Sequence, residues 1–474
     1  MRQTKIVATI GPASRDPATV HELIDAGVDV FRMNFAHGSP DDHASAARMV
    51  REQARDVGRP VGLLADLPGP KMRTGSIAGD EATIQAGDEL VLTPEDVRGD
   101  SKRIPTTVED LASLVDSEQE IIFLADGEIV LSVKEVRGQD VVTKVIRGGV
   151  VRTGKGMHLP GAERRMTCPT EDDKRALRSA VDIDVDFVGI SFVRDGADVG
   201  SVRELLSDRE RSRVKLIAKI ETRHAVDHLD EIVHEADAVM VARGDLGIQT
   251  PLTRVPLLQK EIIKSCNHVG VPVITATQML ESMTDSPLPT RAEITDIANA
   301  VVDGTDALML SEETAVGEYP VAAVETMAET AIAAEAWPTA GQQPSVDELT
   351  DDAVSWAVAH AGAQAAADLE VAAILCPTRS GSTARRVAAF RPRVPVIALA
   401  QQPEVAGWTA LLRGVIPLLA PDQGEPTGTS EDISRATARA EEARLVRAGD
   451  LVVVVAGSPG PRAGRTDYVR VVRI

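Results

Sequence analysis

The sequence predicts an α/β protein: a closed (β/α)8 TIM barrel, interrupted by an inserted all-β lid domain and followed by a C-terminal α/β domain. Three observations lead there. Short apolar runs alternate with amphipathic stretches through most of the first 337 residues. That alternation is broken between 70 and 166 by period-two segments separated by turn signals. After WPTAGQQP at 337–344, which reads as a linker, a second α/β pattern begins. At 474 residues the chain exceeds one ordinary core, so several domains are expected.

Lys5 to Ile10 reads as the first strand. The helix after it opens at Asp16-Pro17, turns Val20, Leu23 and Ile24 inward, and stops at Gly27. A second strand, Val28 to Met33, exits into Asn34-Phe35-Ala36-His37-Gly38, and a third, Val61 to Ala65, into Asp66 and on to Arg73. The insertion follows, with turn signals at Ala86-Gly87-Asp88, Asp126-Gly127, Arg137-Gly138 and Gly148-Gly149. An insertion that leaves and re-enters a barrel rim is placed to cover it.

The alternation resumes at Thr170. Asp186 to Ser191, Lys215 to Ile220, Ala238 to Ala242, Val271 to Ala276 and Ala307 to Leu310 read as five more strands. Val226, Leu229, Ile232 and Val233 predict a helix between the second and third of these, and Thr290-x-x-Glu293 is a capping box whose helix ends at Gly304. Three strands before the insertion and five after it make eight. The expected barrel domain is 1–69 with 167–337, the lid 70–166, and the C-terminal domain 345–474. In that last part, helices are expected over 353–367, after Ser382 and over 430–447. Strands are expected over 372–375, 394–398, 451–455 and 468–472.

Composition removes several function classes. A formal charge of −21 argues against non-specific nucleic-acid binding, and any anionic ligand must be held by local cations. No apolar run reaches membrane-spanning length. The start, MRQTKIVATIGP, enters a strand without a signal-peptide h-region, and three scattered cysteines suggest neither a disulfide framework nor a CxxC metal site. A cytoplasmic location is expected.

The chemistry gathers at strand exits. Residues i and i+2 of a strand share a face, so Lys219 and Glu221 project together, and the next strand delivers Arg243-Gly244-Asp245. Two carboxylates and a lysine on one rim can hold a hard divalent cation beside an anionic substrate. The same residues also read as a buried Lys–Glu ion pair beside an Asp-containing turn.

RMNFAHG at 32–38, AKIE at 218–221, ARGDLG at 242–247, ATQMLESM at 276–283 and PTRAE at 289–293 together resemble the pyruvate kinase family. The resemblance covers essentially the whole chain. It implies phosphoryl transfer from phosphoenolpyruvate to ADP, giving pyruvate and ATP, with Mg2+ or Mn2+ required. It implies Glu221 and Asp245 as metal ligands and Lys219 facing the transferring phosphoryl and the developing enolate. Arg32 and Arg73 match phosphate contacts, and the Gly244 and Asp245 amides match carboxylate contacts. Thr277 matches a threonine near the carbon to be protonated, with Ser311 in the neighbouring proton-relay region; a threonine after a strand also reads as a helix N-cap. Pro12, Asn34, His37 and Arg73 match the nucleotide side, where His37 reads equally as a structural rim histidine. A homotetramer is implied. So is an effector loop for a phosphorylated ligand at Thr378-Arg379-Ser380-Gly381-Ser382-Thr383, faced by Gly457-Ser458-Pro459-Gly460.

The departures carry their own expectations. Hydroxyl residues that help bind K+ in cation-dependent members are replaced by Ala36 and Leu67, and a glutamate by Lys71. The Lys71 ammonium is expected to supply the charge of the missing ion, so that K+ is not required. Asp172 stands where the family has a lysine, which could weaken ADP binding. Glu312 stands for a glycine, which could crowd the rim or disturb a φ > 0 turn. A ligand-binding relative with poor turnover is therefore a second reading. An aldolase or phosphoenolpyruvate mutase is a third, disfavoured by the insertion and the C-terminal domain.

Overall fold

Eight parallel strands close into a barrel in the computed structural model, which describes residues 1–115, 120–125, 127–337, 344, 352–420, 430–457 and 465–474. In chain order the strands are Lys5–Thr9, Val30–Asn34, Gly62–Asp66, Phe187–Ile190, Lys215–Ile220, Ala238–Ala242, Val273–Ala276 and Ala307–Leu310. Each pairs with the next, and the last pairs with the first. Three precede the insertion and five follow it, as the alternation predicts.

Period two sorts each strand between two cores. Val7, Val30, Leu64, Phe187, Ile217, Met240, Ile274 and Met309 fill the barrel interior. Their neighbours Ile6, Phe31, Leu63, Val188, Leu216 and Val239 pack under the surrounding helices. One step up the inward face from Val30, Leu64 and Ile217 stand Arg32, Asp66 and Lys219. The rule that fills the barrel with aliphatic side chains therefore also places a charged layer at its C-terminal end. Gly189 makes room for that layer: a Cβ there would lie 3.1 Å from Asp66 Oδ1.

Local signals act where the sequence puts them. Asp16 accepts the Thr19 amide ahead of the helix Pro17–Ala26, and Gly27 ends it at φ 117°. Thr290 and Glu293 close their capping box on the helix Arg291–Asp303. The stretch around Val226–Val233 departs from expectation. It forms two short helices, Arg223–Asp227 and Leu229–Glu235, because His228 between them sits at φ −116°, ψ 25°.

The insertion forms a seven-stranded sheet and a two-stranded ladder, Glu81–Ile84 with Gly149–Arg152, around its own aliphatic core. Its turns at Gly87 and Gly138 have positive φ, and Gly138 closes the hairpin of Ile129–Arg137 with Asp140–Arg147, whereas Asp126 of the Asp126-Gly127 turn lies outside the described residues. The C-terminal sheet runs Val415–Leu419, Val396–Ala400, Ala373–Thr378, Leu451–Ala456, Tyr468–Arg473, with only the last strand antiparallel. Its helix Ser430–Glu442 is shorter than expected. The strand Val415–Leu419 and the helix Pro403–Thr409 were not anticipated. That helix seats on the strand entrances of the barrel, and a Cβ on Gly407 would lie 2.2 Å from Asp186 Oδ1. Of WPTAGQQP, only Trp337 and Pro344 are described.

Candidate active site

The floor of the site is a buried charge network. Arg32 donates from Nε to Asp66 Oδ2 at 2.7 Å and from Nη1 to the Thr9 hydroxyl at 3.1 Å. Lys219 Nζ lies 2.9 Å from Glu221 Oε1 and 3.1 Å from Asp66 Oδ1, and donates to Ser191 Oγ at 2.8 Å. The Phe192 amide donates to Glu221 Oε2 at 2.6 Å. Lys219, Glu221 and Asp66 are only 7%, 1% and 2% exposed, so these charges persist because they face one another.

Charge balance sets the protonation states. Burial pushes the Asp66 carboxyl up, but Lys219 and Arg32 more than offset it and hold it at about 2. Burial works against the Lys219 ammonium, yet Asp66 and Glu221 raise it above the ordinary lysine value. Glu221 is raised, first by burial, with Lys219 opposing and the Asp245 charge adding to the rise. A carboxylate disfavoured by another carboxylate close by suits a site that a cation completes.

Above this floor opens a cleft of about 650 Å3 between barrel rim and insertion. The insertion contributes Lys71, Arg73 and His158, and the rim His37, Gly244, Asp245, Thr277 and Glu312. Arg73 Nη1 donates to Gly154 O at 2.8 Å. His37 is lowered by burial and by the Arg73, Lys71 and Arg32 charges. Lys71 lines the cleft and is exposed to it. Burial and Lys219 lower its pKa, while Glu221, Asp66 and Asp245 pull the other way.

Thr277 has two roles in the structure. Its Oγ1 accepts the Gly244 amide at 2.8 Å and donates to Ala276 O at 2.6 Å. It thus serves the start of the helix Arg243–Gln249 from a neighbouring strand end. Thr277 and Gln278 both have positive φ, 69° and 54°. Arg243, for which the sequence reading gave no role, holds that turn: Nη2 donates to Thr277 O at 2.6 Å, and Nη1 pairs with Asp296 at 2.6 Å. The Gly244 amide, expected to face a substrate carboxylate, is thus already engaged by a hydroxyl.

Other expected residues stand apart. Pro12, Asn34 and Ser311 do not line the cleft. Asn34 Oδ1 accepts the Ala36 amide at 3.1 Å, and the Ser311 amide donates to Glu313 Oε2 at 2.7 Å. Asp172 is exposed, pairs with Arg175 one turn away and is not among the lining residues. Glu312 does line the cleft but opens the helix Glu312–Ala315 without a positive φ, so the backbone concern does not arise.

In the C-terminal domain, Thr378 to Thr383 turns from the strand Ala373–Thr378 into the helix Ser382–Ala389. Thr378 Oγ1 accepts the Gly381 amide at 2.8 Å, Ser380 and Ser382 hydroxyls meet at 3.0 Å, and Thr383 meets Thr466 at 2.8 Å. Ser458–Gly460 of the expected facing loop lie outside the described residues.

Comparison with known proteins gives one answer. Residues 1–324 match the family "Pyruvate kinase, barrel domain" and residues 356–472 match "Pyruvate kinase, alpha/beta domain". A pyruvate kinase of Geobacillus stearothermophilus is 42% identical over 477 residues, covering 99% of this chain and 80% of the relative. One of Mycobacterium tuberculosis is 41% identical over 474 residues, covering 100% and 98%. One of Thermococcus litoralis is 39% identical over 477 residues, covering 100% and 98%.

Proposed function

The chain belongs to the pyruvate kinase family, and on that premise we propose that it transfers the phosphoryl group of phosphoenolpyruvate to ADP, giving pyruvate and ATP, without needing K+. The observation that carries the reading is the Arg32–Asp66–Lys219–Glu221 network beneath a cleft that Asp245, Thr277 and Arg73 line.

Glu221 and Asp245 would hold Mg2+, or Mn2+ in its place. Their all-oxygen donor set and mutual repulsion fit a hard divalent cation, and substrate oxygens and water would complete its shell. Among the described residues no group of three or more His, Cys, Asp or Glu could hold a metal ion by itself. Such a cation supplies charge neutralisation for the phosphoryl oxygens and the developing enolate. Lys219, charged at any working pH, faces the same atoms and lowers the barrier electrostatically. Asp66 fixes both Arg32 and Lys219, so neither cation need reorganise during transfer. Arg32 and Arg73 orient the phosphoryl group, the insertion excludes water, and the Gly244 and Asp245 amides take the carboxylate. Thr277 and Ser311 serve protonation of the enolate carbon. Pro12, Asn34 and His37 are the nucleotide side, with His37 neutral.

Lys71 supports independence from K+: its ammonium feels Glu221, Asp66 and Asp245, the anionic ground a monovalent cation would occupy. The same reading divides the chain at 1–69 with 167–337, 70–166 and 345–474. It makes the last domain regulatory, with a phosphorylated effector at Thr378–Thr383, and it implies a cytoplasmic, glycolytic homotetramer. The test is pyruvate production from phosphoenolpyruvate, ADP and Mg2+ in Na+, K+ or tetramethylammonium salts. Equal rates in the three are expected. Strong K+ activation would refute the role of Lys71, and absence of pyruvate the whole reading.

A further inference from the structure

On the side of the barrel opposite the cleft, three arginines of the C-terminal domain close on the strand entrances. Arg391 Nη2 donates to Asn267 Oδ1, Gly304 O and Asp306 Oδ1 at 2.5, 2.7 and 3.2 Å. Arg413 is 8% exposed, and its Nε has no hydrogen-bond partner among the described residues. The Arg385 guanidinium makes no hydrogen bond or ion pair among the described residues, its amide alone donating to Gly381 O at 3.0 Å. All three line one small cavity, about 20 Å3, together with Asn267 and Asp306.

Charge does not balance there. Among the described residues Asp306 is the one carboxylate lining the cavity, and its two oxygens already serve Arg391 and the Val273 amide at 2.9 Å. The next acids are engaged elsewhere: Glu335 accepts the Gln3 and Thr4 amides, and Asp237 pairs with Arg203 at 3.3 Å. Burial lowers the pKa of both Arg385 and Arg413, and the Arg391 charge lowers Arg413 further. Lysine could shed its proton under such pressure, but a guanidinium cannot, so the surplus charge needs a counterion. A space of this size admits one water-sized guest.

We propose that this cavity is an anion site, holding a single small inorganic anion of the chloride class between Arg385, Arg391 and Arg413. The anion would tie the C-terminal domain to the residues leading into two barrel strands, Val273–Ala276 and Ala307–Leu310, which exit at Thr277 and Ser311.

Crystals of the full chain grown with bromide test the site directly. An anomalous peak in contact with the Arg385 and Arg413 guanidinium groups is expected; its absence, or a cavity holding only water, overturns the proposal. In solution, thermal unfolding is compared in sodium chloride and sodium gluconate at equal ionic strength. Chloride should give a saturable rise of roughly 2–4 °C. Arg413→Met and, as a second variant, Arg385→Gln should abolish the difference between the two salts. The same difference in wild type and both variants would assign the effect to bulk salt and overturn the site.

Discussion

Replacing Lys219 by Met separates its structural from its chemical contribution. The side chain keeps its apolar stem but loses a charge lying 2.9 Å from Glu221 and 3.1 Å from Asp66. Asp66 retains Arg32 at 2.6 Å, so the loss falls mainly on Glu221, whose remaining donor among the described residues is the Phe192 amide. Removing one partner of a buried pair costs about 3–5 kcal/mol when the other stays charged. Glu221 can escape part of that by binding a proton, since burial already raises its pKa. A raised carboxyl favours the folded state at low pH and loses that contribution as pH rises through its folded value. The stability deficit of Lys219→Met should therefore be small near pH 5 and grow towards pH 8. Activity should behave differently. With the fixed cation gone from the reacting centre, kcat should fall by about 10²–10³ at every pH where the variant is folded, while Mg2+ binding persists. Denaturant unfolding at several pH values and the pyruvate assay below the unfolding transition measure the two effects. A kcat within tenfold of wild type would refute the role of Lys219 in catalysis, and a deficit independent of pH would refute the ion-pair reading.

Three further outcomes follow from single contacts. Arg243→Ala removes the clamp on Thr277 and Gln278, and kcat for pyruvate formation should drop by roughly 10–10² with phosphoenolpyruvate KM changed far less. Asp186 is pushed up to about 6 by burial, with Arg51 only partly opposing. Its ionisation should cost about 3 kcal/mol as pH rises from 4 to 6, so Asp186→Asn should flatten that part of the pH–stability profile. Gly381 sits at φ 79°, and a Cβ there would lie 2.1 Å from the Trp408 ring, so Gly381→Ala should destabilise the C-terminal domain by at least 1–3 kcal/mol, read from Trp fluorescence during unfolding.

What the sequence made legible is whatever depends on spacing within one strand. Lys219 and Glu221 are two apart and meet at 2.9 Å, and the strand exits lie on one rim because all eight strands run parallel. What it hid depends on register between strands. That Arg32 folds onto Asp66 follows from Arg32 pairing with Leu64 and Asn34 with Asp66, which no single stretch reveals. Following the inward face from Leu64 would have singled out Asp66. The strand Val415–Leu419 escaped notice because Pro417 argues against a central strand, and it is in fact an edge. The helix Pro403–Thr409 is too short to show a period.

The structure also gives Thr277 and Gly244 a physical connection that the motifs alone do not. A threonine at φ 69° followed by a glutamine at φ 54° stores strain of about 1–3 kcal/mol per residue, and Arg243 holds both carbonyls in place. In return the Thr277 hydroxyl reaches the Gly244 amide. A substrate carboxylate arriving at that amide, as proposed, must displace the hydroxyl from it, and the hydroxyl keeps its own bond to the Ala276 carbonyl. Carboxylate binding is then an exchange of hydrogen-bond partners at the Gly244 amide. The strained turn thus sets the Thr277 hydroxyl against the one amide that the carboxylate is proposed to take.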